Sequence, residues 1–190
     1  MNRSLLIKHI CAAFLTAMIL VAISGQARAV TVNFDGELID KSCQLAPESF
    51  QQDVVFLERP ARDFWTEPAR SPVVKFTIRL MECNTASIWK LVKLKFSGTP
   101  ENNMTGQSNY YLSVTGDNAG KLAIGLLDSD GKTALKLGEV HNNGQGTQID
   151  GRDVLLTFGA FVQATPDAIM RKSVQPGLYT SVVNFGLTYE

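Results

Sequence analysis

Leu178-Tyr179-Thr180-Ser181-Val182-Val183-Asn184-Phe185-Gly186-Leu187-Thr188-Tyr189-Glu190 follows the turn-forming pair Pro176-Gly177 and closes the sequence. Tyr179, Ser181, Val183, Phe185, Leu187 and Tyr189 alternate with Leu178, Thr180, Val182, Asn184, Gly186, Thr188 and Glu190. Alternation of this period puts the two sets on opposite faces of a strand, and one face here is mainly apolar. The reading is a strand that runs to the last residue. Such a strand must bury its apolar face and pair its edge, or it becomes a template for association. Its edge can be covered by another part of the same domain or by another molecule, and the pattern alone leaves both open.

Working back from that strand, the same period recurs between clusters of Gly, Pro, Asn and Asp. No long stretch of 3.6-residue apolar periodicity interrupts it. Residues 73–81, 88–96, 110–114, 122–127, 134–137 and 154–164 read as strands, and 54–57 as a short apolar one. Asp128-Ser129-Asp130-Gly131 is a turn. Seven or eight short strands at this spacing predict an all-β, two-sheet sandwich of the immunoglobulin type. Residues 58–72, with three prolines and three arginines, are too irregular for a central strand, and Phe64-Trp65 within them should fold back onto the body. Residues 141–146 form a polar Asn/Gly loop. Thr165-Pro166 opens one helical turn, with Thr165 as N-cap and Pro166 at the first helical position.

At the other end the composition changes. Arg3 and Lys8 precede an almost wholly apolar run over residues 10–23, and Ala27-Arg28-Ala29 supplies a small-x-small site. This is the pattern of a secretory signal peptide cleaved between Ala29 and Val30. The alternative, a membrane anchor, needs about 20 apolar residues, which this run does not reach. The whole chain of 190 residues balances 18 basic against 18 acidic residues. Processing removes Arg3, Lys8 and Arg28, leaving 161 residues with 15 basic and 18 acidic, net −3. That length predicts one domain, and the balance argues against a basic nucleic-acid binder. Processing also removes Cys11, leaving Cys43 and Cys83 in a chain addressed to an oxidising compartment, where a bridge between them is expected. Closing a loop of about 40 residues would stabilise the fold by about 4 kcal/mol. Two cysteines with His141 do not complete a zinc ligand set, so no metal is expected.

After the cleavage site the chain begins alternating at once, with Val32, Phe34, Gly36 and Leu38 sharing one face. This segment can be the first strand of the sandwich. It can equally be a donor strand whose side chains enter pockets of a neighbouring molecule, with Gly36 allowing close backbone approach.

Cys43 and Cys83 flanking the early strands, a glycine at position 177, the alternating last strand and the penultimate Tyr189 resemble the pilin subunits of chaperone-usher fimbriae. Further blocks carry the resemblance along nearly the whole processed chain. Among them are Ala61-Arg62-Asp63-Phe64-Trp65, Val114-Thr115-Gly116-Asp117-Asn118-Ala119-Gly120, Leu126-Leu127-Asp128-Ser129-Asp130-Gly131, His141-Asn142-Asn143-Gly144-Gln145-Gly146 and Phe158-Gly159-Ala160-Phe161-Val162. The resemblance implies an incomplete immunoglobulin-like sandwich that lacks its seventh strand and is completed by donor-strand complementation. A periplasmic chaperone would lend a strand first, and at the outer-membrane usher the extension of a neighbouring pilin subunit would replace it. Residues 1–29 would be the signal peptide, 30–40 the extension merging into the first strand, and 41–190 the pilin domain. Val32, Phe34, Gly36 and Leu38 would be donor residues. Val183, Phe185, Leu187 and Tyr189 would line the acceptor groove, and Glu190 would meet the chaperone's basic anchoring site. The implied role is a structural minor subunit, a tip adaptor contributing to adhesion, exported through the periplasm and assembled on the cell surface. The short leader before Gly36 fits this better than a bulk rod subunit, although rod initiator, major pilin and terminator remain alternatives.

Other functions meet less support. A carbohydrate-binding adhesin is suggested by Phe64, Trp65, Trp89, Tyr110 and Tyr111, but 161 residues leave no room for a lectin domain ahead of a pilin domain. Catalysis would have to use His141 or scattered hydroxyls and carboxylates, and neither a Gly-x-Ser-x-Gly nor a His-Glu-x-x-His pattern occurs. Asn103-Met104-Thr105 reads as a polar loop, and Lys90, Lys93 and Lys95 as a solvated strand face. No cofactor, nucleic-acid partner or direct membrane span is expected.

Overall fold

A computed structural model describes residues 43–190. The signal segment, the Ala29/Val30 cleavage position and the expected donor residues Val32, Phe34, Gly36 and Leu38 lie outside the described residues.

Ten strands occur among the described residues: β1 (Gln44–Leu45), β2 (Val74–Met81), β3 (Leu91–Ser97), β4 (Tyr111–Ser113), β5 (Thr115–Gly116), β6 (Leu122–Leu127), β7 (Thr147–Gln148), β8 (Val154–Ala164), β9 (Tyr179–Thr180) and β10 (Asn184–Tyr189). One sheet has the order β1-β2-β8-β6-β4, a second β10-β3-β7, and a small third pairs β5 with β9. All pairings are antiparallel. The expected strands over 73–81, 110–114, 122–127 and 154–164 are present within a residue or two at their ends.

The period-two pattern places the core between the sheets. Ile78 and Leu80 of β2, Leu156 and Phe158 of β8, and Leu122 and Leu126 of β6 are buried opposite Val92, Leu94 and Phe96 of β3. Edge-to-face aromatic contacts tie the layers, with Phe96 and Phe158 at 5.0 Å and Phe76 and Phe96 at 6.0 Å between ring centroids. Cys43 precedes β1 and Cys83 follows β2. Because β1 and β2 are paired in the register Gln44↔Met81, the two cysteines come together and form a disulfide.

Several expectations need correction. Residues 54–57 are extended but belong to no ladder among the described residues. Val54 and Phe56 are half-buried, while Val55 and Leu57 are exposed. Residues 134–137 contribute only one bridge, Ala134 to Leu127, because the chain leaves the sheet after the Asp128–Gly131 turn. Ile88 and Trp89 precede β3 and are exposed rather than part of it. The closing strand is interrupted at residues 181–183, where the chain leaves β5 and joins β3. The helical turn became α1 (Pro166–Arg171), capped by the Thr165 hydroxyl accepting from the Ala168 amide.

Candidate assembly groove along the last strand

The groove begins with the way β10 is paired. It lies beside β3 in the register Asn184↔Ser97 to Tyr189↔Val92. Glu190 and Leu91 exchange both backbone hydrogen bonds, N–H to O at 3.0 Å in one direction and 2.7 Å in the other. In an antiparallel ladder such pairs alternate, so the peptides of Asn184, Gly186 and Thr188 also face β3. Those of Val183, Phe185, Leu187 and Tyr189 face the opposite way. Among the described residues no strand pairs with that side, and β10 is the edge of its sheet.

The same four residues turn their side chains inward. Val183, Phe185, Leu187 and Tyr189 are half-buried and pack on the core, while Val182, Asn184, Gly186 and Thr188 are exposed. Each of the four thus presents an outward-facing backbone N–H and C=O together with an apolar side chain that the domain only half covers. An added strand would meet both needs.

The facing wall comes from the segment that follows Cys43, inside the disulfide loop. The Tyr189 hydroxyl donates to the Cys43 carbonyl at 3.3 Å, and the rings of Phe56 and Tyr179 lie 6.4 Å apart. Residues 43–56 and 179–189 therefore run past each other in opposite directions. Leu45, Val54 and Phe56 are half-buried on one wall, facing Tyr179 through Tyr189 on the other. Burial pushes the phenol pKa values of Tyr179 and Tyr189 up, so both hydroxyls stay protonated at neutral pH. Glu190 sits at the Tyr189 end, its carboxylate ion-paired with Lys93. Phe56 and its neighbours were missed as a wall in the sequence reading. Their alternation was visible, but it pointed to a paired strand rather than to an unpaired one beside an open edge.

A family model described as fimbrial protein matches residues 32–190. The chain belongs to the fimbrial protein family. This fimbrial protein is 47% identical over 166 residues to the fimbrial adapter PapK of Escherichia coli, covering 87% of this chain and 91% of that one. It is 29% identical over 168 residues to KS71A fimbrillin of Escherichia coli, covering 84% and 83%. The crystal structure of the P pilus rod subunit PapA superimposes with a TM-score of 0.61 at 20% identity, covering 79% of this chain and all of that one. The fold is accordingly the incomplete immunoglobulin-like sandwich of pilus subunits, open along β10 among the described residues. The family is one of structural pilins, whose members build surface pili from neighbouring subunits.

The aromatic residues that suggested an adhesin do not form one exposed surface. Phe64 is buried, and Trp65 is half-buried with its indole N–H donating to the Val174 carbonyl at 2.9 Å. Tyr111 is half-buried and packs edge-on against Phe161. Only Trp89 and Tyr110, each 37% exposed, remain at the surface. His141, expected in a polar loop, is buried. It accepts the Leu94 N–H at Nδ1 (3.1 Å), and its Nε2 pairs with the Thr147 hydroxyl (2.8 Å). Of the lysine cluster, Lys93 pairs with Glu190, the Lys90 ammonium donates to the Thr85 carbonyl, and Lys95 is exposed. No helix among the described residues is long and apolar enough to cross a membrane.

Proposed function

We propose that the protein is a minor structural pilus subunit, a tip adaptor, polymerised by donor-strand exchange. The observation that carries this reading is the edge of β10 that no strand pairs among the described residues, with its half-buried row Val183, Phe185, Leu187 and Tyr189. Completing the burial of four large side chains is worth about half of the ~1.5–3 kcal/mol that each gains from full burial. The sum, about 3–6 kcal/mol, is comparable with the ~5–15 kcal/mol stability of a whole domain. A strand supplied from outside thus decides whether the subunit is stable, and folding free energy becomes assembly free energy.

In this reading a periplasmic chaperone lends the first strand, with Glu190 at its anchoring end, and at the outer-membrane usher a neighbouring subunit's extension replaces it. Residues 1–29 direct export and are removed after Ala29. Val30 opens the extension, and Val32, Phe34, Gly36 and Leu38 enter the groove of the next subunit. Residues 41–190 form the pilin domain, and the subunit performs no catalysis. The likeness to the fimbrial adapter PapK favours the adaptor position.

The test is to produce residues 30–190 alone, with a cognate chaperone, and with a synthetic donor-strand peptide. The chain alone should aggregate or self-associate, and either partner should yield a soluble, cooperatively unfolding complex. A stable monomer from the chain alone would overturn the reading. Gly36→Leu should block insertion into a neighbour and leave chaperone binding to this subunit's own groove intact. Equal loss of both would place Gly36 in this domain's own fold.

A further inference from the structure

On the far side of β3 from the groove lies a cleft of about 510 Å³, lined by Lys95, by Tyr110 at the end of the Ser108–Tyr110 turn, by Asp128 and by residues 133–136, 138–140, 143 and 144. Its volume falls within the ~300–1,000 Å³ of small-ligand sites. β3 offers alternate peptides to its two neighbours. Leu91 and its odd-numbered partners bond β10, whereas the Phe96 and Leu94 carbonyls accept from Gly138 and His141 of the cleft loop, at 2.7 and 3.0 Å. The cleft loop therefore sits on the edge of β3 opposite β10, and the groove lies beyond β10, along its other edge.

The cleft is preformed. Its loop is pinned to β6 by the Leu135 amide donating to the Leu126 carbonyl (2.9 Å), to the 108–110 turn by Leu137 donating to Asn109 (2.8 Å), and to β3 by Gly138. Asp128 is buried, with one carboxylate oxygen accepting from the Ser129 amide (2.7 Å) and the other from the Asn142 amide (2.6 Å). That second bond holds Asn142 and Asn143 in the left-handed region, at φ 54° and 52°, and sets residue 143 at the rim. Backbone of this kind persists only where surrounding contacts over-determine it.

What the cleft offers a ligand is specific. Tyr110 is 37% exposed, with its phenol oxygen within electrostatic reach of the Lys136 ammonium, and no hydrogen bond joins the Tyr110 hydroxyl, the Lys95 ammonium or the Asn143 side-chain amide to another described residue. Charges cancel: Lys136 pairs with Glu139, and Lys95 faces the same cleft as Asp128. An aromatic face, uncommitted polar groups and no net charge suit a ring with apolar faces and an equatorial belt of hydroxyls. We propose that this cleft binds a neutral pyranose unit, its ring against Tyr110 and its hydroxyls held by Lys95 and Asn143. The cleft lies on the other side of β3 and β10 from the groove, so a strand entering the groove does not fill it.

The test uses the processed chain, in complex with a strand-lending partner or alone if it is soluble alone. Methyl β-glucoside, whose ring faces carry only C–H bonds, is titrated in while amide shifts are followed by NMR. Saturable shifts should be confined to residues 95, 108–110 and 133–144, with a Kd of about 1–10 mM. Tyr110→Ala should weaken binding at least about tenfold and Asn143→Ala severalfold, while Leu155→Ser on the exposed face of β8 changes nothing. Tyr110→Phe keeps the ring, retains most of the affinity and guards against misfolding of the alanine variant. The absence of saturable shifts, affinity unchanged in Tyr110→Ala, or binding of methyl β-glucuronide but not of the neutral glycoside would each overturn the proposal.

Discussion

The Tyr189 hydroxyl donates to the carbonyl oxygen of Cys43 at 3.3 Å, joining the end of the open strand to the residue that anchors the disulfide. The contact closes one end of the groove and sets the distance between its walls. Tyr189→Phe removes the hydroxyl alone and should cost about 1 kcal/mol. Tyr189→Ala also removes a half-buried ring and should cost about 2–4 kcal/mol. Urea unfolding of the complemented subunit measures both, and an equal cost for the two variants would show that the ring contributes nothing.

The disulfide constrains a 40-residue separation that includes the wall facing β10. Replacing Cys43 and Cys83 together by Ala should lower stability by about 4 kcal/mol. The loss should appear as a shifted denaturation midpoint in a chaperone-bound or peptide-complemented sample. An unchanged midpoint would mean that the unfolded chain is held compact by other contacts.

His141 links β3 to β7 from within the core. Burial lowers its pKa below the ordinary 6.5, with the Leu94 carbonyl, 3.4 Å from Nδ1, and the Asp128 carboxylate opposing that shift. A lowered folded-state pKa means that the folded protein favours neutral imidazole. The unfolded chain then binds more protons in the acid range. The stabilisation by His141 is fully present above about pH 6.5 and is lost as pH falls through its folded value. His141→Gln should therefore be less stable than the parent at pH 8, with the gap narrowing by pH 5. A gap independent of pH, read from paired denaturation curves, would exclude this linkage.

Gly125 has no side chain because Phe161 occupies the place where one would go. A Cβ there would lie 2.2 Å from the Phe161 ring, the ring over which the Arg70 guanidinium carbon stands at 3.3 Å. Gly125→Val should displace the ring, break the cation–π contact and cost about 1–3 kcal/mol. The companion variant Phe161→Leu should relieve part of the clash, so a double-mutant cycle showing strict additivity would place the strain elsewhere.

The local reading succeeded where side-chain order is set by neighbours in sequence. Residues 154–164 form β8 as expected, Thr165 caps α1, and the half-buried set Tyr179, Ser181, Val183, Phe185, Leu187 and Tyr189 matches the alternation along the last thirteen residues. Cys43 and Cys83 meet because β1 and β2 pair between them. The reading failed where burial depends on distant partners. His141 sits in a polar, irregular loop, yet it is covered by elements from elsewhere in the chain, whereas Phe64 folds back onto the body as its segment predicts.

Period, turns and the apolar face of the closing segment were determined by the sequence alone, because each is a property of residues a few positions apart. The tertiary structure alone decided that β9 pairs with β5 and β10 with β3, that residues 54–57 stay outside any ladder, and that the second edge of β10 has no neighbour among the described residues. Alternation specifies which side chains turn inward. Which edge a strand offers depends on which other strand reaches it first, and that is settled only when the whole chain has folded.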